Sequence, residues 1–160
     1  MNYKVAVVMG SDSDLPLAKK TVAVLKDLDI TYSVHIISAH RTPDEATEFA
    51  MHARENGYAV IISIAGKAAH LGGVLASRTT LPIIGVPTSS SLDGMDALLS
   101  TVQMPSGIPV ASVAIDGAKN AAILAAQMLA ITDATIAMKL KQLRKETQDT
   151  INKKNHDLAL

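Results

Sequence analysis

Apolar and polar positions fall in alternating blocks along this chain. Lys4-Val5-Ala6-Val7-Val8-Met9 is a nearly continuous apolar run that breaks at Gly10-Ser11-Asp12-Ser13-Asp14. A run of that length bounded by turn residues predicts a strand covered on both faces. Leu17, Thr21, Val24, Leu25 and Leu28 then recur at helical spacing. Asp14 is the expected N-cap, and Pro16 sits in the first turn, where its missing N–H costs nothing. Tyr32 to Ile37 predicts a second strand. Pro43 to Glu55 predicts a second helix, marked by Ala46, Phe49, Ala50 and Ala53 and stopped near Asn56-Gly57. Further strands are predicted over Ala59 to Ile64, Pro82 to Val86 and Val110 to Ile115. The segments between them predict a short helix reaching about Arg78 and another over Met95 to Val102. After the last strand come an alanine-rich helix, Asn120 to Leu129, and a long one from Asp133 onward.

Strand and helix alternate throughout with no repeat and no long linker, which predicts a parallel sheet with helices on both faces, joined by right-handed crossovers. Residues 1–154 are expected to form one α/β domain, with 155–160 fraying. The last helix follows a sheet that is already complete. Its stripe of Ile136, Leu140, Leu143, Thr147 and Ile151 needs a cover, and a neighbouring subunit is the expected one.

Composition narrows the class. Of 160 residues, 48% are hydrophobic and 19% charged, more apolar surface than a lone small domain needs, which again points to a buried subunit interface. Net charge is zero, so nothing favours nucleic acid or a membrane surface. Cysteine is absent, which removes disulfides, thiolate nucleophiles and cysteine–zinc sites together. No apolar run approaches the ~18 residues of a membrane span, and Met1-Asn2-Tyr3-Lys4 leads straight into a strand. A cytoplasmic protein is expected.

Ligands of open parallel sheets bind outside the carboxyl ends of the strands. Four polar segments are predicted to land there: Gly10 to Asp14, Ser38 to Arg41, Ala65 to His70 and Pro87 to Gly94. The first has the turn, the hydroxyls and the free N–H groups that hold a phosphate. Either Asp14 caps a helix and the serines shape a turn, or Asp14 accepts bonds from sugar hydroxyls while Ser11 and Arg41 take the anion. His40 ends a strand beside Arg41, which pairs a group able to transfer protons near neutrality with a fork for phosphate or carboxylate. His70 either lies across the crevice from His40 or packs at a helix start. Lys67 either meets an anion or points into water. His35 reads as structural, and His52 and His156 as surface positions. Several alternatives fail. No Gly-x-Gly-x-x-Gly or Walker lysine follows a strand, no Gly-x-Ser-x-Gly elbow exists, and no histidine pair has metal-ligand spacing.

Gly10-Ser11-Asp12-Ser13-Asp14, Ser38-Ala39-His40-Arg41-Thr42-Pro43, Ala68-Ala69-His70-Leu71, Val102-Gln103-Met104-Pro105-Ser106-Gly107-Ile108-Pro109 and Asn120 to Gln127, taken together and in this order, closely resemble the N5-carboxyaminoimidazole ribonucleotide mutase family of purine synthesis (PurE, the catalytic subunit of phosphoribosylaminoimidazole carboxylase). The resemblance implies a three-layer α/β/α sandwich of flavodoxin/Rossmann type and a homo-octamer with active sites where subunits meet. It also implies a phosphoribosyl substrate whose carboxylate moves from the exocyclic nitrogen to ring carbon 4, without metal, ATP or biotin. His40 and His70 become the candidate catalytic residues. Gly10, Ser11, Asp12, Asp14, Ser38, Ala39, Arg41, Gly66, Lys67, Ala68 and Leu71 become the candidate substrate-binding positions, and Thr88 to Gly94 the candidate lid. Direct carboxylation of aminoimidazole ribonucleotide by carbon dioxide is the alternative within the resemblance. A non-catalytic module binding a phosphoribosyl ligand is the alternative outside it.

Overall fold

The computed structural model describes residues 4–158, so the expectations for the first three residues and the last two lie outside the described residues. Five parallel strands, β1 (Lys4–Met9), β2 (Thr31–Ile36), β3 (Tyr58–Ala65), β4 (Ile83–Pro87) and β5 (Ala111–Ser112), form one sheet in the order β2-β1-β3-β4-β5. Among the described residues six α-helices accompany them: α1 (Leu15–Asp27), α2 (Pro43–His52), α3 (Leu71–Ala76), α4 (Met95–Val102), α5 (Ala118–Leu129) and α6 (Ala134–His156). This is the flavodoxin-like arrangement. The chain leaves β1 to one side for β2, then crosses back to the other side for β3. The crevice beyond the carboxyl ends of β1 and β3 is therefore the place where loops diverge and a ligand fits.

Strand pleating sorts the core into two layers. Val5, Val7 and Met9 of β1 join Val60, Ile62, Ile64, Ile84 and Val86 on the face covered by Ala18 and Leu25 of α1 and Ala121, Ala122 and Ala125 of α5. Ala6 and Val8 point the other way, with Ile61, Ala65 and Ile83, onto Ala46 and Ala50 of α2, Leu75 of α3 and Ala97 of α4. Burying a single Leu or Ile of this kind is worth ~1.5–3 kcal/mol, so these two layers hold the loop ends at fixed positions. Alanine at the helix contacts lets α1 and α5 approach closely. Across that contact the buried Thr21 hydroxyl donates to the carbonyls of Leu17 and Ala118, 3.2 Å from each.

Three expectations need correction. The fifth strand shrinks from Val110–Ile115 to Ala111–Ser112, because Pro109 brings no N–H and Asp116, with φ 57°, turns the chain away. Val113 and Asp116 still donate to Gly85 and Pro87, so the segment follows β4 without completing a ladder. Helix α2 stops at His52 rather than Glu55. Gly57, at φ 82°, closes a turn in which the Tyr58 N–H donates to Ala53 O, and this pulls residues 53–57 out of the helix. Asp14 occupies the N-cap of α1 but makes no capping bond. Ser11 caps instead, one 3-10 turn earlier, by accepting from the Ser13 N–H at 3.3 Å. The first turns of α6 pack on this chain's own core through Ile136 and Leu140 and are tied by an ion pair of Lys139 with Asp29. Further along α6, Ile151 is exposed. Among the described residues no helix is long and apolar enough to cross a membrane.

Candidate active site

The ends of β1, β2, β3 and β4 deliver their loops to one cavity of about 580 Å³. Its wall contains Gly10, Ser11, Ser13 and Asp14 from the first loop and Ser38, Ala39, His40 and Arg41 from the second. Ala65, Gly66, Lys67, Ala68, His70 and Leu71 come from the third, and Ser90 from the fourth. The imidazole of residue 40 and the guanidinium beside it thus open into the same space as the first glycine–serine turn. Asp12 is not part of the wall; its carboxylate accepts from the Ser11 hydroxyl at 3.0 Å.

Thr42 and Ser38 shape the second loop. The Thr42 N–H donates to Ser38 O at 2.8 Å, and the Ser38 N–H donates to the Thr42 hydroxyl at 3.0 Å. The resulting turn ends β2 and presents His40 and Arg41 before Pro43 opens α2. Arg41 is held across the top of the sheet, its Nη2 donating to Gly10 O at 3.0 Å and its Nε to Ser38 Oγ at 3.3 Å. Those bonds use part of the guanidinium's five donors and leave the rest of the fork for an anion.

In the third loop, the N–H groups of Ala69 and His70 donate to the carbonyls of Lys67 and Ala68, both at 2.8 Å. This tight turn carries His70 to the start of α3 and settles its alternatives: the ring lies across the crevice, not packed in the helix. His40 Nε2 and His70 Nδ1 are 2.9 Å apart, and the rings meet edge to face. At that separation one nitrogen carries the hydrogen and the other accepts it, so one hydrogen bond joins the two rings. Ala39, Ala65, Ala68 and Leu71 surround them with apolar wall.

Asp14 is only 9% exposed. Burial raises its carboxyl pKa above the usual 3.8, and Asp12 adds to this, while a hydrogen bond with the Ser11 backbone pulls the other way. The serine-rich loop after β4 is tied at both ends. Ser89 donates to Asp116 through its N–H at 3.1 Å and its hydroxyl at 2.6 Å, and the Ser91 hydroxyl donates to Asp96. Between these ties Ser90 reaches the cavity. A Cβ added at Gly66 would overlap the Ser90 and Thr88 hydroxyls, so glycine there lets the third and fourth loops touch. Ser13, Ala65 and Ser90 are not singled out by the sequence, although each lies in a segment predicted to follow a strand. His35 is the structural residue expected, bonded to Ser33 at 2.8 Å, with its pKa lowered by burial and by Lys4 against an opposing pull from Glu45.

Fold and site together define a class: an α/β protein whose switch-point crevice is equipped for acid–base chemistry on an anionic small molecule. The family model for AIR carboxylase matches residues 4–150, and the chain belongs to that family. Relatives named N5-carboxyaminoimidazole ribonucleotide mutase include one from Pyrococcus abyssi, 56% identical over 89% of this chain and 83% of its own length. Another, from Bacillus subtilis, is 48% identical over 99% of this chain and the whole of its own. A crystal structure of Treponema denticola PurE superposes with a TM-score of 0.89, at 31% identity over 98% of this chain and 99% of that one.

Proposed function

We propose that this protein is an isomerase of purine biosynthesis that converts N5-carboxyaminoimidazole ribonucleotide to 4-carboxy-5-aminoimidazole ribonucleotide. The observation that carries the reading is the contact of His40 with His70 inside the cavity that also holds Arg41 and the Gly10–Ser11 turn. The names borne by relatives at about half identity over nearly the whole chain support it, and they do not favour direct carboxylation or a silent binding module.

The geometry supports a two-stroke use of one imidazole. Arg41 and the hydroxyls of Ser11 and Ser13 take the phosphate, and Asp14 accepts from the ribose hydroxyls. His40 in its protonated form gives a proton to the carboxylated nitrogen. The N–C bond breaks, its electron pair stays on nitrogen, and carbon dioxide leaves. Walled in by Ala39, Ala65, Ala68 and Leu71, the gas stays beside the ring at high effective concentration. Ring carbon 4 then attacks it, forming the C–C bond and leaving carbon 4 with one proton too many. His40, now neutral, removes that proton, which returns the site to its starting state with no net proton consumed. His70, bonded to His40, fixes which ring nitrogen is free for the transfer.

The unit of activity in this proposal is a cytoplasmic homo-octamer with sites at subunit boundaries. The exposed Met95, Leu99 and Val102 of α4 and Met138 and Ile151 of α6 are apolar surfaces suited to such contacts.

The test supplies purified protein with unlabelled N5-carboxylated substrate and labelled bicarbonate, alongside a His40→Asn variant. Retained transfer predicts early product free of label, and the variant is expected to bind substrate with turnover lost. Label entering as fast as product forms would overturn retained transfer in favour of direct carboxylation. Unchanged turnover in His40→Asn would remove His40 from the chemistry.

A further inference from the structure

Lys67 stands in the cavity wall in a conformation that its backbone alone does not explain. Its φ is 55°, the left-handed region in which Cβ crowds the neighbouring carbonyl and glycine is the usual occupant. Glycine would build the same turn to His70 with less strain. Strain of this kind clusters at functional sites. Among the described residues the Lys67 ammonium enters no ion pair, whereas Arg41 is already lodged against Gly10 and Ser38.

The proposed substrate carries two anions at opposite ends, a phosphate and the migrating carboxylate. The wall carries lysine or arginine at two places, on different loops: Arg41 beside the Gly10–Ser11 turn, and Lys67 three residues before His70. The turn's serine hydroxyls, with Arg41 beside them, already suit the first end to phosphate. The carboxylate has to lie within reach of the imidazoles, and the cation on that loop is Lys67. We infer that Lys67 is the carboxylate-binding residue of the site, selecting carboxylated over uncarboxylated ribonucleotide; this rests on the carboxylate-transfer reading above.

The inference carries a kinetic signature. A cation attracts the carboxylate of substrate and of product but has little hold on neutral carbon dioxide. Its contribution is therefore to binding, and losing it raises KM without lowering kcat. Lys67→Met removes the charge and keeps the stem and the backbone demand. Lys67→Gly removes both. Lys67→Arg keeps the charge. For each, KM and kcat are measured with N5-carboxyaminoimidazole ribonucleotide. The inhibition constant is measured with 5-aminoimidazole ribonucleotide, which has the phosphate and lacks the carboxylate.

The expected result is a KM roughly tenfold or more higher in the Met and Gly variants, the yield of a lost charge-assisted hydrogen bond. The inhibitor's constant stays unchanged and Lys67→Arg stays near wild type. Lys67→Gly is expected to melt no lower than wild type, which shows that the fold is kept. A KM and an inhibition constant that rise together would place Lys67 at the phosphate or in a structural role and overturn the inference, as would an unchanged KM. A wild-type protein that neither turns over the substrate nor binds the inhibitor would overturn the carboxylate-transfer reading itself, and the inference with it.

Discussion

Replacing Asp14 with asparagine separates what the site costs from what it does. The carboxyl group is nearly enclosed at 9% exposure, enters no ion pair among the described residues, and has Asp12 two positions away. Burial, the larger cause, and Asp12 both favour its protonated form. The sign follows directly. A carboxyl whose pKa is raised on folding binds its proton more tightly in the native state. The native state therefore loses stability as pH rises from the ordinary 3.8 through the raised value, and the loss is complete above it. The asparagine side chain has nearly the same shape as aspartate and no charge to bury. What the amide avoids is the cost of burying a charge, and because the open cavity admits water the gain is on the order of 1 kcal/mol. For a chain of this size that raises Tm by roughly 2–4 °C. The assay compares melting of Asp14→Asn and wild type at about pH 8 and about pH 4, where the gain is expected to shrink as the wild-type carboxyl takes up its proton. On the functional side, loss of the charged acceptor is expected to raise KM about tenfold. A variant that melts lower than wild type at the higher pH would refute the reasoning, and so would a difference that stays constant on acidification.

Two further substitutions test how the site is supported. Gly66→Ala places a methyl group onto the hydroxyls of Ser90 and Thr88. Ser90 can swing away, but Thr88 is buried, so we expect a loss of about 1–3 kcal/mol in thermal melts. kcat/KM should fall as Ser90 leaves the wall; unchanged values of both would show that the third and fourth loops are not coupled there. Thr21→Val removes the donor shared by Leu17 and Ala118 on the far side of the sheet. It should cost about 1 kcal/mol with kcat untouched, and altered kcat would mean that the contact of α1 with α5 reaches the site.

Much of this architecture is legible in the sequence because the strands are covered on both faces. Continuous runs such as Val5 to Met9 and Val60 to Ala65 announce themselves, and the loops after them are then known to gather on one edge. The predictions go astray where local turn chemistry overrides periodicity. Gly57 shortens α2, Pro109 and Asp116 shorten β5, and Ser11 rather than Asp14 does the capping. None of these alters which side of the sheet a loop reaches, so the site survives the errors in element boundaries. The structure adds the contact of His40 with His70, which the sequence offers only as one of two alternatives because strand order is not written in it. Position alone leaves the second histidine divided between two roles.

That strand order also explains why so few residues suffice. Because β1 and β3 are neighbours while the chain detours through β2, the loops carrying Ser11, His40 and His70 start from three adjacent strands and meet without long insertions. Rigid strand ends place the imidazoles, and tight turns place Arg41 and Lys67 at separate points of the wall. A reaction in which a small uncharged molecule is released and recaptured asks for little beyond a proton donor that can become an acceptor, two anchored anions and apolar walls. In the proposed function, selectivity for a carboxylated ribonucleotide falls to single side chains on short loops. There a change at position 67 can alter the choice of ligand without disturbing the two packed layers beneath.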